Sequence, residues 1–212
     1  MHLIAKFFQK LRVANMQFLV ATLFVIAASN STVLAASNAV PPPLASLFGG
    51  PFQLVDHNGK SVSDKDFRGK FMLIYFGYTY CPDICPTNLQ EMALALDALG
   101  MEAKKVQPIF ISIDPGRDKP AELKEYVSNF GSGFVGLTGT EAQIRAVTKS
   151  YRVHRRKVIL PGQEATDDYF VDHSSLTHLV GPDGKFRTLF PHNTKGVVMA
   201  KRMRKYLKAN PS

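Results

Sequence analysis

The sequence has no tryptophan, only two cysteines, and no acidic side chain in its first 36 residues. Two cysteines are too few to staple a small disulfide scaffold. At 212 residues the chain is long enough to bury one good core without such staples. No zinc-finger, helix-turn-helix or ribonucleoprotein pattern accompanies the net charge of +9, so the basic balance does not point to nucleic acid. No GxxxxGK[ST] phosphate loop is present, and there is no internal repeat. The longest N-terminal apolar run, Phe18 to Ala28, falls short of the roughly 20 residues a spanning helix needs.

That run follows Lys6, Lys10 and Arg12 and precedes Val33-Leu34-Ala35, a small-residue cleavage pattern. Residues 1–36 therefore read as an export signal peptide, or as an N-terminal membrane anchor if Val33 to Ala36 extend the run past polar Ser29 to Thr32. An amphipathic, Arg-rich transit peptide fits less well. Residues 37–50 form a linker stiffened by Pro41-Pro42-Pro43 and ended by Gly49-Gly50. Residues 51–212 form one domain. Without the first 36 residues the charge is still +6, which suits solubility and attraction to an anionic membrane surface or an acidic protein partner.

Both cysteines lie in Gly77-Tyr78-Thr79-Tyr80-Cys81-Pro82-Asp83-Ile84-Cys85-Pro86-Thr87. The apolar run Phe71 to Phe76 before it reads as a buried strand, and the recurrence of Leu89, Met92, Ala93, Leu96 and Leu99 after it reads as a helix. Cys85 is thus expected at a helix N-terminus, whose partial positive charge favours a thiolate. Pro86 suits the first helical position, where no backbone donor is required. Two sulfurs brought together by one loop can share a soft ion, close a disulfide, or stay inert in a core. Paired cysteines in an exported chain favour metal or redox chemistry.

Elsewhere, Asp56-His57-Asn58-Gly59 marks a hairpin turn between Phe52–Val55 and Lys60–Ser63, with His57 expected in solvent. Asp64 to Lys70 reads as a turn of helix, Val106 to Ile113 as a strand, and Lys119 to Phe130 as a helix with Asp118 as its N-cap. Gly131 to Gly139 reads as connection, and Thr140 caps a helix from Glu141 to Tyr151. Val153 to Leu160 is a strand with the basic centre His154-Arg155-Arg156-Lys157, either a charge-protected edge or part of a docking face. A polar loop, Pro161 to Asp168, precedes Tyr169 to Ser175. A second hairpin joins Leu176–Val180 to Lys185–Phe190, and a terminal helix from Thr194 to Ala209 carries the apolar stripe Met199, Met203, Tyr206. This alternation predicts an α/β sandwich with a largely parallel centre.

The stretch Tyr75 to Pro86 resembles the metal-binding motif of the Sco (SenC) proteins, copper chaperones for assembly of the CuA site of cytochrome c oxidase. Ile111-Ser112-Ile113-Asp114-Pro115-Gly116-Arg117-Asp118, Val135 to Thr140, Asp168 to Ser174 and Leu179 to Phe186 match the same family in order. The resemblance implies a thioredoxin-like sandwich with a central mixed sheet and an added N-terminal β-hairpin. It implies Cys81, Cys85 and His173 as ligands of a copper ion, Cu(I) or Cu(II). His173, distant in sequence from the cysteines, is expected on a loop that moves in the metal-free form. It also implies the copper-bearing subunit of the oxidase, other copper carriers or thiol reductases as partners, and a bacterial periplasmic location, free or held at the inner membrane by the N-terminus or the surface. It places Asp114 and Asp118 near the site. Asp83, between the cysteines, is a turn residue or a tuning charge, and His178 packs or faces solvent.

Copper chemistry suits that residue set. Cu(I) prefers thiolate sulfur, and imidazole suits both oxidation states. A structural zinc site would want a fourth ligand. The rival reading is a thiol–disulfide oxidoreductase that reduces target cysteines through the redox-active pair Cys81 and Cys85. A peroxidase would need a lone activated cysteine and fits less well.

Overall fold

The computed structural model describes residues 47–131, 133–159 and 169–209. The predicted export segment, most of the predicted linker and the polar loop 161–168 lie outside them. Among the described residues no helix is long and apolar enough to cross a membrane.

The chain runs β1 (Gln53–Asp56), β2 (Ser61–Ser63), β3 (Phe71–Gly77), α1 (Ile84–Leu99), β4 (Val106–Ser112), α2 (Pro120–Ser128) and β5 (Val135–Thr138). It continues with α3 (Glu141–Ser150), β6 (Arg155–Val158), β7 (Phe170–His173), β8 (Thr177–Val180), β9 (Phe186–Phe190) and α4 (Gly196–Ala209). Seven strands form one mixed sheet in the order β2-β1-β5-β4-β3-β8-β9, and β6 and β7 form a separate two-stranded ribbon. The centre, β5-β4-β3, is parallel. The flanking pairs are antiparallel, including the N-terminal hairpin β1–β2. This is the mixed α/β sandwich with an added hairpin that the sequence predicts.

Strand β3 is buried along its whole length, as expected for a parallel strand covered on both faces. Helix α1 buries Cys85, Leu89, Met92, Ala95 and Leu99, and it also packs against α4. That contact is close: a Cβ on Gly196 would stand 2.7 Å from the Glu91 carbonyl oxygen and the Ala95 nitrogen. Only glycine lets the two backbones approach this far. Thr140 caps α3 as predicted, accepting from the Gln143 N–H while Gln143 reaches back to the Thr140 N–H.

Four expectations are corrected. The segment read as connection contains β5, which pairs with both β4 and β1. Four residues flanked by glycines are too short a run to announce a strand. Asp118 is not the cap of α2; that position is Lys119, and the Asp118 carboxylate turns inward. His57 is half-buried rather than in solvent, because its Nδ1 accepts the Gly136 N–H at 2.9 Å and ties the β1–β2 turn to β5. His173 ends strand β7 instead of lying on a loop.

Candidate metal centre

The site lies where β3 ends and α1 begins. Gly77, the last residue of β3, makes room for it: a Cβ there would sit 2.8 Å from Cys85 Sγ and 2.9 Å from Phe110. The chain then turns through Tyr78, Thr79 and Tyr80 to Cys81, whose N–H donates to the Tyr78 carbonyl at 3.2 Å. The Cys85 N–H, one of the donors left over at the start of α1, points to Cys81 Sγ at 3.4 Å. Cys81 thus accepts from the first turn of the helix, although it precedes it. Both cysteines are reduced and buried, Cys85 completely and Cys81 to 9% exposure.

Strand β7 brings the third residue. His173 Nε2 is 3.5 Å from Cys85 Sγ, and the three donor atoms of Cys81, Cys85 and His173 all lie within 4.8 Å of one another. Among the described residues this is the one such cluster of histidine, cysteine and carboxylate donors. The imidazole is oriented by its other nitrogen. Nδ1 lies 3.2 Å from the Ser174 carbonyl, which can only accept, so Nε2 is the ring nitrogen turned toward the sulfurs. The rings of Tyr75 and Tyr78 meet the imidazole edge to face, with centroids 6.2 and 6.0 Å away.

The two thiols are electrostatically unequal. Hydrogen bonds from the Cys85 thiol, the His173 ring and the Cys85 and Asp83 backbone pull the Cys81 thiol well below the ordinary thiol range, against the opposing effect of burial. Cys85 is pushed upward because its proton is held against the Cys81 sulfur and because it is buried. Within the pair, Cys81 is the sulfur favoured as thiolate and Cys85 the one favoured as thiol. The Tyr75 hydroxyl donates to Cys85 Sγ at 3.8 Å and accepts from Asn88, which also meets His192 Nδ1 at 2.8 Å. Burial holds Tyr75 strongly toward its neutral form, so it remains a donor.

Two carboxylates brace the surroundings. Asp118 accepts from Ser112 Oγ at 2.6 Å, from Thr79 Oγ1 at 2.6 Å and from the Thr79 N–H at 3.1 Å, so it fastens the cysteine loop to the end of β4. Asp114 accepts from Arg117 Nε at 2.6 Å and from the Tyr169 hydroxyl at 2.8 Å. The Arg117 guanidinium in turn lies 3.7 Å from the centre of the Tyr169 ring and 4.6 Å from that of Tyr80. One arginine thereby joins the Asp114 loop, the cysteine loop and the residue just before β7. Asp83 is exposed and starts α1 without a side-chain cap bond, in keeping with a turn role. His178 is in the core between the rings of Phe76 and Tyr151 and outside the donor cluster. Sequence reasoning points to all three donors but not to Tyr75, Asn88, Arg117 or Tyr169. A single tyrosine, asparagine or arginine carries no local pattern that would single it out.

A family model described as SCO1/SenC matches residues 41–208. The chain belongs to the SCO1/SenC family. Protein sco1 of Schizosaccharomyces pombe is 45% identical over 161 residues, 74% of this chain and 60% of that protein. The chain thus spans less than two thirds of the length of that relative. The structure of Bradyrhizobium japonicum ScoI with copper bound is 46% identical, covers 76% of this chain and 99% of that one, and superposes with a TM-score of 0.68. A structure that defines a disulfide switch in BsSco, a Sco member among the cytochrome c oxidase assembly proteins, is 28% identical with a TM-score of 0.56, covering 80% and 96%. These Sco structures share the thioredoxin-like fold of the described residues.

Proposed function

We propose that this Sco protein carries copper as cargo on Cys81, Cys85 and His173 and delivers it to the CuA centre of cytochrome c oxidase. One observation carries the reading: two sulfurs and an imidazole nitrogen converge within 4.8 Å of one another, with Cys81 and His173 lining a cleft. That donor set is soft enough for Cu(I) and small enough to leave coordination positions for an incoming thiol. The copper-bound relative supports the cargo, and the oxidase assembly role named for the BsSco family supports the destination.

The chain's residues divide the work. Cys81 is the more accessible cysteine and the one favoured as thiolate, so it makes first contact. The second bond needs the Cys85 thiolate, so capture is linked to proton release. His173 closes the site from the ribbon. An acceptor thiolate enters from the cleft of about 290 Å³ bounded by Cys81, Ile84, Phe170 and His173. We place the protein outside the cytoplasm, in the bacterial periplasm, exported by residues 1–36 and either released or held at the inner membrane. The oxidase subunit, other copper carriers and thiol reductases are its partners in this reading.

The free, adjacent thiols support a second reading, reduction of a target disulfide. Cys81 would attack one target sulfur and displace the other as a thiolate. Cys85 would then break the mixed disulfide, leaving an oxidised Cys81–Cys85 pair and two reduced target thiols. His173→Ala separates the two readings. It should cost copper retention under anaerobic competition with a Cu(I) chelator while leaving the rate of thiol–disulfide exchange close to parent. Undiminished copper retention in that variant would refute the three-ligand site.

A further inference from the structure

A second cleft, apart from the copper site, stands out among the described residues. It has a volume of about 730 Å³ and lies between α3 and the β6–β7 ribbon. Its floor is apolar and buried, made by Ile113, Val153 and Val171. Its walls are cationic: Arg145 and Lys149 rise from α3, and Arg155, Arg156 and Lys157 from β6, with His154 beside them. Glu141 is the one carboxylate among the lining residues. It pairs with Arg155 and, at 3.4 Å, with Arg145. Asp172, outside the cleft, approaches Arg156 at 3.7 Å and His154 at 3.8 Å. Arg155 is also spent on the fold, donating to the Ile113 carbonyl at 2.8 Å. Arg145, Lys149, Arg156 and Lys157 remain exposed.

That arrangement has a cost. Arg145 and Lys149 are four residues apart on one helix face, and like charges at that spacing repel. The basic run of β6 adds three more cations to the same hollow. An edge strand needs a charge or two to block sheet pairing, but edge protection gives no reason for α3 to present cations toward the same space.

We propose that this cleft docks an acidic polypeptide segment of the protein that exchanges copper with Cys81, Cys85 and His173. The proposal rests on the copper-carrier reading and names the partner surface for it. Charge complementarity sets the sign of the occupant. The concave apolar floor selects a polypeptide, whose side chains can descend to Ile113 and Val153, over a flat bilayer surface, which would contact only the rim. Position selects a copper-exchange partner: Val171 lines this cleft on one side and the copper cleft on the other. Arg155 pairs directly across the ribbon with His173. A segment held here tethers its own copper-binding thiols beside the site and raises their effective concentration.

The test has a binding arm and a transfer arm, both on the full chain. In the first, hexaglutamate is titrated into the copper-free protein at low salt and followed by amide chemical shifts. The expected result is saturable shifts centred on residues 145–157 that weaken as salt rises. The triple variant Arg145→Glu/Lys149→Glu/Arg156→Glu should lose them, and Lys201→Glu/Lys205→Glu on α4 should keep them. In the second, two dithiol acceptor peptides that differ only in a six-residue Glu or Gly-Ser tail compete for the copper. The acidic tail should speed transfer by about tenfold, and the triple variant should erase the difference while still serving the neutral peptide. Shifts absent, spread over the surface, or equally lost in the α4 variant would overturn the proposal. Anionic phospholipid vesicles that engage residues 145–157 where hexaglutamate does not would replace it with a membrane contact. Failure of the parent to take up copper at all, with hexaglutamate still bound in the cleft, would instead refute the copper-carrier reading.

Discussion

The sulfur half and the nitrogen half of the proposed copper site are held by different kinds of structure. Cys81 and Cys85 sit on the junction of β3 and α1, at the centre of the seven-stranded sheet, with Gly77, Asp118 and the start of the helix fixing the loop. His173 sits at the end of a two-stranded ribbon that pairs with no strand of that sheet. The ribbon is joined to the cysteine loop mainly by side chains: Tyr169 on Asp114, Arg117 stacked on Tyr169 and Tyr80, and the imidazole itself against Tyr75 and Tyr78. Backbone ladders in a core open only with large parts of the fold, whereas a ribbon held by side-chain contacts and the burial of Val171 and Tyr169 opens at lower cost. The difference suits a carrier, because the sulfurs stay paired while the imidazole can withdraw to let an acceptor in.

Breaking the sulfur half should have the largest effect. Cys85→Ser should weaken Cu(I) retention by more than about 100-fold, beyond the usual loss on removing an outer-shell partner, as read by anaerobic chelator competition. Removing the nitrogen half is next: His173→Ala should weaken retention by less than Cys85→Ser does, and Cys81 should still alkylate, slowed by loss of its hydrogen bond from the imidazole. If the two variants lose copper equally, the division between halves is wrong.

Loosening the clamp should cost less and in a particular pattern. Tyr169→Phe keeps the ring over Arg117 but removes the hydroxyl from Asp114, so copper retention should fall by about tenfold and stability by about 1 kcal/mol. Amide exchange should quicken in β7 and not in β3 or α1. Faster exchange throughout the sheet would mean that Tyr169 is a general packing residue.

The last prediction concerns the scaffold under the sulfur half. His178 pairs across from Ile74 of β3, and burial pushes its pKa down to about 4 from the ordinary histidine value of 6.5. Its folded-state pKa lies below the unfolded one, so its contribution is complete above about pH 6.5 and is lost as pH falls toward 4. Complete loss would amount to about 3 kcal/mol. Denaturant unfolding from pH 7 to pH 4 should show that slope, and His178→Gln should flatten it; an unchanged slope would assign the acid sensitivity elsewhere.

Much of this is legible in the sequence for definite reasons. The run Phe71 to Phe76 and the helical recurrence after Pro86 place the cysteines at a strand-to-helix junction through hydrophobic periodicity. Asn58-Gly59, Gly181 to Gly184 and Thr140 mark two hairpins and a cap by local chemistry, which does not depend on the rest of the fold. What stays hidden is long-range. Asp118 has the right residue type and place for a cap, yet Thr79 and Ser112 offer its carboxylate three hydrogen bonds, and tertiary contact wins. The Asp114–Arg117–Tyr169 clamp joins residues whose neighbours in sequence carry no shared pattern. His173 is legible as a candidate ligand through family resemblance only; its place on a strand comes from pairing with β6, a strand visible in the sequence whose partner is not.

The measurement closest to the central claim is X-ray absorption at the copper edge on the anaerobically reduced, copper-loaded protein, with His173→Ala beside it. The parent should show two sulfur donors and one nitrogen from imidazole, and the variant should keep the sulfurs and lose that imidazole. A parent first shell without two sulfurs and an imidazole nitrogen, or the same imidazole signal in the variant, would contradict the site described by Cys81, Cys85 and His173.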